Sequence, residues 1–194
     1  MGGDAAEPVD ELFSLPTVIL AEPRRSLLRT YCGPKMHLAA EDGTVLAHLH
    51  DCGTFAYALR DLGNRHLLGV DLVSRRALAR PRFRLTDAGG RPIGEVHAPG
   101  RVNHTRLLDI RSGDDALRLT RTALMGKTWL VRDQSDREVG RVTVSTVRSL
   151  DGLQQYRVEP DRWAGSDQRR LIVAATVCLQ VIRRWLTAPQ GSPA

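Results

Sequence analysis

Short alternating runs of polar and apolar residues fill most of the chain. In RFRL, Arg82 and Arg84 face one way and Phe83 and Leu85 the other, the two-residue period of a half-buried strand. LFSLPTVILA, MHLAA, TVLAHLH, HLLGVDLV, RFRLTD, PIGEVH, RLLDIR, ALRLTRT, TWLVRD, REVGRVTVS and QQYRVEP all read as strands, with turn-forming residues between most of them. Only the opening segment is followed by a candidate helical turn, around Pro23 to Tyr31. A chain of this kind forms an all-β sheet system, and closing that sheet into a barrel removes its exposed edges.

One hairpin pattern recurs. RLTDAGGRPIGEVH, from Arg84 to His97, aligns with LVRDQSDREVGRVT, from Leu130 to Thr143. Each is a strand, an Asp, a polar turn and then Arg-x-(Ile/Val)-Gly-x-Val. Asp87 and Asp133 lie 46 residues apart, as do Gly94 and Gly140. HLAAEDGTVLAHLH is a third copy, with Ala47 in the position of Gly94. Asp and Gly in these turns answer to turn chemistry rather than to acid–base work, so the hairpins are scaffold.

The pattern then changes. Ser166 reads as a helix N-cap with Asp167 in the first turn, and a helix is expected over about 167–186. From Leu171 to Ile182 almost every position is apolar, on all sides of a helix, so the segment must be surrounded by lipid or by protein. Length decides between them. Between Arg170 and Arg183 lie 12 residues, a helix of roughly 18 Å, whereas a bilayer core spans about 30 Å. Gln180 interrupts the run as well. A helix threaded through the barrel formed by the strands is the expectation, and no transmembrane span.

Composition sharpens this picture only in part. The 194 residues suit a single domain, expected over 12–186, with loose tails at 1–11 and 187–194. Net charge is +6, carried almost wholly by Arg, with Lys only at Lys35 and Lys127. Such a surface attracts phospholipid headgroups or nucleic acid, or is simply solvated. Three scattered cysteines and no apolar segment after Met1 point to a reducing cytoplasm.

Candidate chemistry is sparse. SRRALARPRFRL gathers Arg75, Arg76, Arg80, Arg82 and Arg84, and a second cluster holds Arg24, Arg25 and Arg29. Guanidinium stripes suit phosphate oxygens, and an exposed strand face paired with neighbouring carboxylates is the plainer alternative. His48, His50 and Cys52 share a strand face, and a metal would need a fourth ligand such as His37 or His66; a polar outer face is the preferred reading, with no metal and no cofactor. There is no nucleophile elbow, phosphate-binding loop or zinc-protease motif. No nucleic-acid-binding motif or aromatic platform for bases accompanies the charge.

Asp87, Gly94, Asp133, Gly140, the run Tyr156-Arg157-Val158-Glu159-Pro160 and the segment from Asp167 through Trp185 resemble, in their order, the tubby C-terminal-like superfamily. Within it the chain is most similar to the LURP-one-related and phospholipid scramblase-related proteins, over Tyr31 to Leu186. The resemblance implies a closed, twelve-stranded antiparallel barrel around a hydrophobic C-terminal helix, mainly β with one helix. Tubby domains bind phosphoinositide headgroups through basic residues, and scramblases carry an acidic calcium loop before the last helix. Here Asp151, Glu159, Asp161 and Asp167 are spread out among arginines, a departure from the compact oxygen cage that calcium requires.

The expected function is a non-enzymatic module that binds anionic phospholipid at a membrane surface. It would be cytoplasmic, peripheral at the inner membrane face, and would use Arg24, Arg25, Arg75, Arg76, Arg80, Arg82 and Arg84. The alternative is a structural or protein-interaction barrel, as a monomer or an oligomer, with no lipid role.

Overall fold

Twelve antiparallel strands close into a barrel around a C-terminal helix in the computed structural model of the chain. The structure describes residues 12–23, 35–53, 55–73, 80–99, 106–123, 126–148 and 153–187. The strands are β1 (Val18–Ala21), β2 (Met36–Ala39), β3 (Val45–Gly53), β4 (Ala56–Asp61), β5 (His66–Leu72) and β6 (Arg82–Thr86). They continue with β7 (Pro92–His97), β8 (Leu107–Ser112), β9 (Asp115–Arg121), β10 (Thr128–Arg132), β11 (Glu138–Arg148) and β12 (Leu153–Pro160). Each pairs with its sequence neighbours, and β1 closes the ring on β12, with Leu20 opposite Tyr156.

The opening strand is shorter than its sequence suggests. Leu12–Ser14 is helical and β1 begins only at Val18, beyond Pro16, whose ring carries no N–H for a ladder. The helical turn expected near Pro23–Tyr31 and both expected tails fall outside the described residues, apart from Pro23 and Thr187. The strand absent from the sequence reading is β4, AYALRD, where two alanines dilute the β signal.

Four hairpin turns have one design. In the turns starting at Ala40, Asp61, Asp87 and Asp133, the first residue's N–H donates to the carbonyl four residues on, at 2.9–3.0 Å. The fourth residue is left-handed in each: Gly43, Asn64, Gly90 and Asp136. This is a type I turn followed by a bulge, and the register shifts at Leu38/Ala39, Leu59/Arg60, Leu85/Thr86 and Val131/Arg132 mark it. In the three Asp turns Oδ1 accepts the N–H four residues on, from Arg65, Arg91 and Arg137. The repeat therefore has a further copy, at Asp61, which does not keep the 46-residue spacing.

The antiparallel order gives the barrel two distinct ends. These turns, the β8–β9 turn and the start of the helix share one, the entry end. The connections after β3, β5, β7, β9 and β11 share the exit end, with the close of the helix.

The helix, Ser166–Thr187, fills the barrel, and every residue from Leu171 to Ile182 is at most 3 % exposed. Arg169 N–H donates to the Gly165 carbonyl at 3.0 Å, so Gly165, not Ser166, holds the N-cap position. At Gly94 and Gly140 a side chain would meet both the neighbouring strand and the helix, through Leu171 and Ile172. A Cβ at Gly94 would sit 2.5 Å from the Arg111 carbonyl oxygen, and one at Gly140 would sit 3.2 Å from Ile172 Cδ1. The polar residues of the run are satisfied in place: Thr176 Oγ1 donates to the Ile172 carbonyl at 2.8 Å. Tyr156 Oη donates to Gln180 Oε1, and Gln180 Nε2 to Glu22 Oε1, each at 2.5 Å. Burial pushes the Tyr156 phenol and the Cys178 thiol upward in pKa. No helix among the described residues is long and apolar enough to cross a membrane.

Candidate functional site: an arginine wall and the groove at the helix entrance

Strand β6 turns Phe83 and Leu85 into the core and leaves Arg82 and Arg84 exposed, with Arg80 exposed just before it. Among the described residues none of these three guanidiniums has an ion-pair partner. The register sets them among other charges. Arg84 lies opposite Asp71 on β5 and Glu95 on β7, and Glu95 lies opposite Arg111 on β8. Arg82 lies opposite His97, and His97 opposite Asp109, whose carboxylate is held by Arg118 at 3.0 Å.

At the entry end the wall borders a groove of about 480 Å³, lined by Arg84, Ile93, Glu95, Arg111, Asp167 and Arg170 among others. Arg170 stands 3.7 Å from the Asp167 carboxylate and 5.3 Å from the centre of the Phe13 ring. Guanidiniums that converge in this way can bind an oxyanion by paired N–H donors. Glu95 and Asp167 line the same groove and offset part of this positive charge.

Of the seven arginines expected to form the site, the structure keeps Arg80, Arg82 and Arg84 on one line. Arg24, Arg25, Arg75 and Arg76 lie outside the described residues. Arg111 and Arg170 join Arg84 only through strand register and helix placement, which no local pattern reveals.

The histidines do not converge. His48 and His50 share the outer face of β3 with ring centroids 6.2 Å apart, and His37 sits opposite His48 on β2. His66 faces elsewhere, with Nδ1 3.4 Å from the Ala88 carbonyl. Among the described residues no three His, Cys, Asp or Glu side chains are grouped to hold a metal ion. Partial burial, and then the charge of His48, lowers the pKa of both His37 and His50. The carboxylates before the helix are engaged separately: Glu159 with Arg157 at 2.9 Å, Asp161 with the Trp163 N–H at 2.8 Å, and Asp167 with Arg170. Asp151 lies outside the described residues. Asp87 is held below the usual carboxylate range, first by the Arg91 backbone N–H, as a turn-locking group would be.

A twelve-stranded closed barrel with a buried C-terminal helix is the architecture these features belong to. The X-ray structure of the Arabidopsis thaliana protein AT5G01750 is similar, with a TM-score of 0.57 and 16% sequence identity over 94% of this chain and 100% of that one. No family model matches the chain. No curated protein matches it significantly in sequence.

Proposed function

We propose that the protein is a non-enzymatic module of the tubby-like, LURP-one-related and scramblase-related type that binds anionic phospholipid headgroups at a membrane surface. The observation that carries the reading is the line Arg80, Arg82 and Arg84, exposed on β6 and just before it without ion-pair partners among the described residues. Each basic residue near an anionic leaflet contributes about 1 kcal/mol of attraction. The likeness in fold to the Arabidopsis protein supports the architecture that the tubby-like resemblance implies. A peripheral place on a cytoplasmic membrane face follows from the same reading.

The test is co-sedimentation with vesicles of phosphatidylcholine alone and of equal parts phosphatidylcholine and phosphatidylserine. Binding to the anionic vesicles alone is expected, weakening as salt rises. Exchange of Arg82 and Arg84 for Glu should abolish it. No binding at low salt would overturn the reading. Preference for single-stranded or duplex nucleic acid over vesicles would reassign the basic wall.

A second reading has its own observation. An apolar groove of about 570 Å³ at the entry end is lined by Leu12, Leu15, Leu46, Leu62 and Leu67, and Leu62 is 65% exposed. A protein-interaction barrel would use such a groove. Failure with every vesicle, together with self-association in solution, would favour it.

A further inference from the structure

Three strand ends meet at the exit rim. The Leu72 N–H donates to the Phe55 carbonyl at 3.1 Å, the Val73 N–H to the Arg82 carbonyl at 2.9 Å, and the Ala98 N–H to the Pro81 carbonyl at 3.0 Å. These bonds hold the residue before β4, the close of β5 and the start of β6 in one patch. Phe55 is 42% exposed there and Val73 47%, beside the exposed Arg80 and Arg82. Phe55 has a left-handed backbone, φ 67°, a conformation that aromatic residues seldom adopt. The fold thus keeps a bulky apolar side chain partly exposed at a point where a small or polar residue would suit the backbone better.

We infer that this rim is the part of the protein that enters the bilayer, with Phe55 and Val73 among the headgroups and upper acyl chains and Arg80 and Arg82 at phosphate level. The inference rests on the lipid reading above and deepens it by fixing which end faces the membrane. Amphipathic insertion of this kind needs apolar side chains flanked by guanidiniums, and the exit rim supplies both.

Charge separates the two ends. The entry end also exposes apolar side chains, Leu62 and Trp163. Its turns, however, carry an excess of acid: Arg65 and Arg91 meet Asp61 and Asp87, and Arg137 and Arg162 stand against Glu41, Asp42, Asp114, Asp115, Asp133, Asp136 and Asp161, a balance that an anionic leaflet repels. The Trp163 ring already has the Arg162 guanidinium 4.8 Å from its centre. At the exit end the strand ends and the last helical turns place Lys35, Arg80, Arg106, Lys127, Arg183 and Arg184 against Glu22 and Asp51. Asp51 is met by Lys35 at 3.7 Å and Glu22 by Arg184 at 2.8 Å. Asp71 adds a third carboxylate just inside the rim, opposite Ala56 and Arg84, and the basic residues there still outnumber the acidic ones.

The experiment compares the full chain with Phe55→Ser/Val73→Ser at the exit rim and Leu62→Ser/Trp163→Ser at the entry end. Vesicles are equal parts phosphatidylcholine and phosphatidylserine. The rim variant should bind at least about tenfold more weakly, since burying one large apolar side chain accounts for that much. The entry-end variant should bind as the parent does. A conservative pair, Phe55→Trp and Leu62→Trp, avoids any loss of folding. Brominated acyl chains should quench Phe55→Trp beyond the level of the parent and leave Leu62→Trp at that level. Parent protein that binds no vesicle would overturn the lipid reading itself. Parent protein that binds, with an unaffected rim variant or an unquenched Phe55→Trp, would overturn the orientation alone. Quenching of Leu62→Trp instead would reverse it.

Discussion

Arg169 Nη1 donates to the Ser14 carbonyl at 2.9 Å, across 155 residues of sequence. The same guanidinium reaches the Ala164 carbonyl at 2.9 Å through Nε and the Asp161 carbonyl at 3.2 Å through Nη2. One side chain thus ties the N-terminal segment and the β12–helix turn to the first turn of the helix. A fork of fixed donors can do this; an ammonium, with its donors on a single atom, cannot span the same carbonyls. Arg169→Lys should cost about 2 kcal/mol, since hydrogen bonds from charged donors are among the stronger ones. The melting temperature should fall by roughly 4–8 °C. An unchanged melt would mean that the carbonyls are equally well served by water.

Glu22 closes the other end. Its Oε1 accepts from Gln180 Nε2 and from Arg184 Nε at 2.8 Å, and its Oε2 accepts the Gln154 N–H at 3.2 Å. Replacing Gln180 with Leu removes one hydrogen bond from each of two neighbours: the Tyr156 hydroxyl keeps Gln154 Oε1 at 2.8 Å and Glu22 keeps Arg184, so the cost in urea unfolding should be about 1 kcal/mol. Gln180→Glu would set a second carboxylate against Glu22, and its stability deficit should shrink on acidification. A deficit that is independent of pH would show that the carboxylates do not face each other.

Gly94 and Gly140 make a graded pair. The Cβ of Gly94→Ala would meet backbone, the Arg111 carbonyl, at 2.5 Å, and overpacking of that kind costs about 1–3 kcal/mol. Gly140→Ala meets Ile172 Cδ1 and the backbone of Glu159 and Pro160, each at 3.2 Å rather than 2.5 Å, and should cost less. Thermal melts of the two variants, ranked in the opposite order, would contradict this packing.

The outer histidines set a pH dependence. Burial, followed by the charge of His48, lowers the pKa of His37 and His50 from the ordinary 6.5, and Arg60 adds to the effect at His50. Both rings are better tolerated neutral in the fold than in the unfolded chain. Their contribution is complete above 6.5 and is lost as pH falls through the lowered values. Gln at both positions should flatten the decline of melting temperature between pH ~7 and ~5. A decline as steep as that of the parent would place its origin elsewhere.

Sequence alone carried the helix and most of the wall. LIVAATVCLQVI is apolar on every face and too short for a bilayer, and those two facts together place it inside protein. RFRLT alternates cleanly because β6 has core on one side and solvent on the other. Strand β4 was hidden because AYALRD owes its place to pairing on both flanks, with Leu49 and Leu68 opposite Leu59, and not to its own propensity. Missing it hid the Asp61 turn as well. Gln180 read as an interruption of an apolar run; its partners come from β12 and from the residue after β1, and only the closed ring brings them together. The site divides in the same way. Arg80, Arg82 and Arg84 are visible from period alone, while Arg111 and Arg170 reach Arg84 through register. Phe55 is exposed by a backbone conformation that nothing in DCGTFAY announces.

The order of elements along the chain has a consequence for biosynthesis. Inward-facing side chains of all twelve strands depend on a filling that is translated after them, and the ring closes through β1 and β12, the first strand and the last. Until Leu171–Ile182 leave the ribosome, the emerging chain is a growing sheet with a bare apolar face and two open edges. Such a nascent chain has little to gain from early pairing and much to lose by aggregation, so native structure must arrive late and nearly all at once.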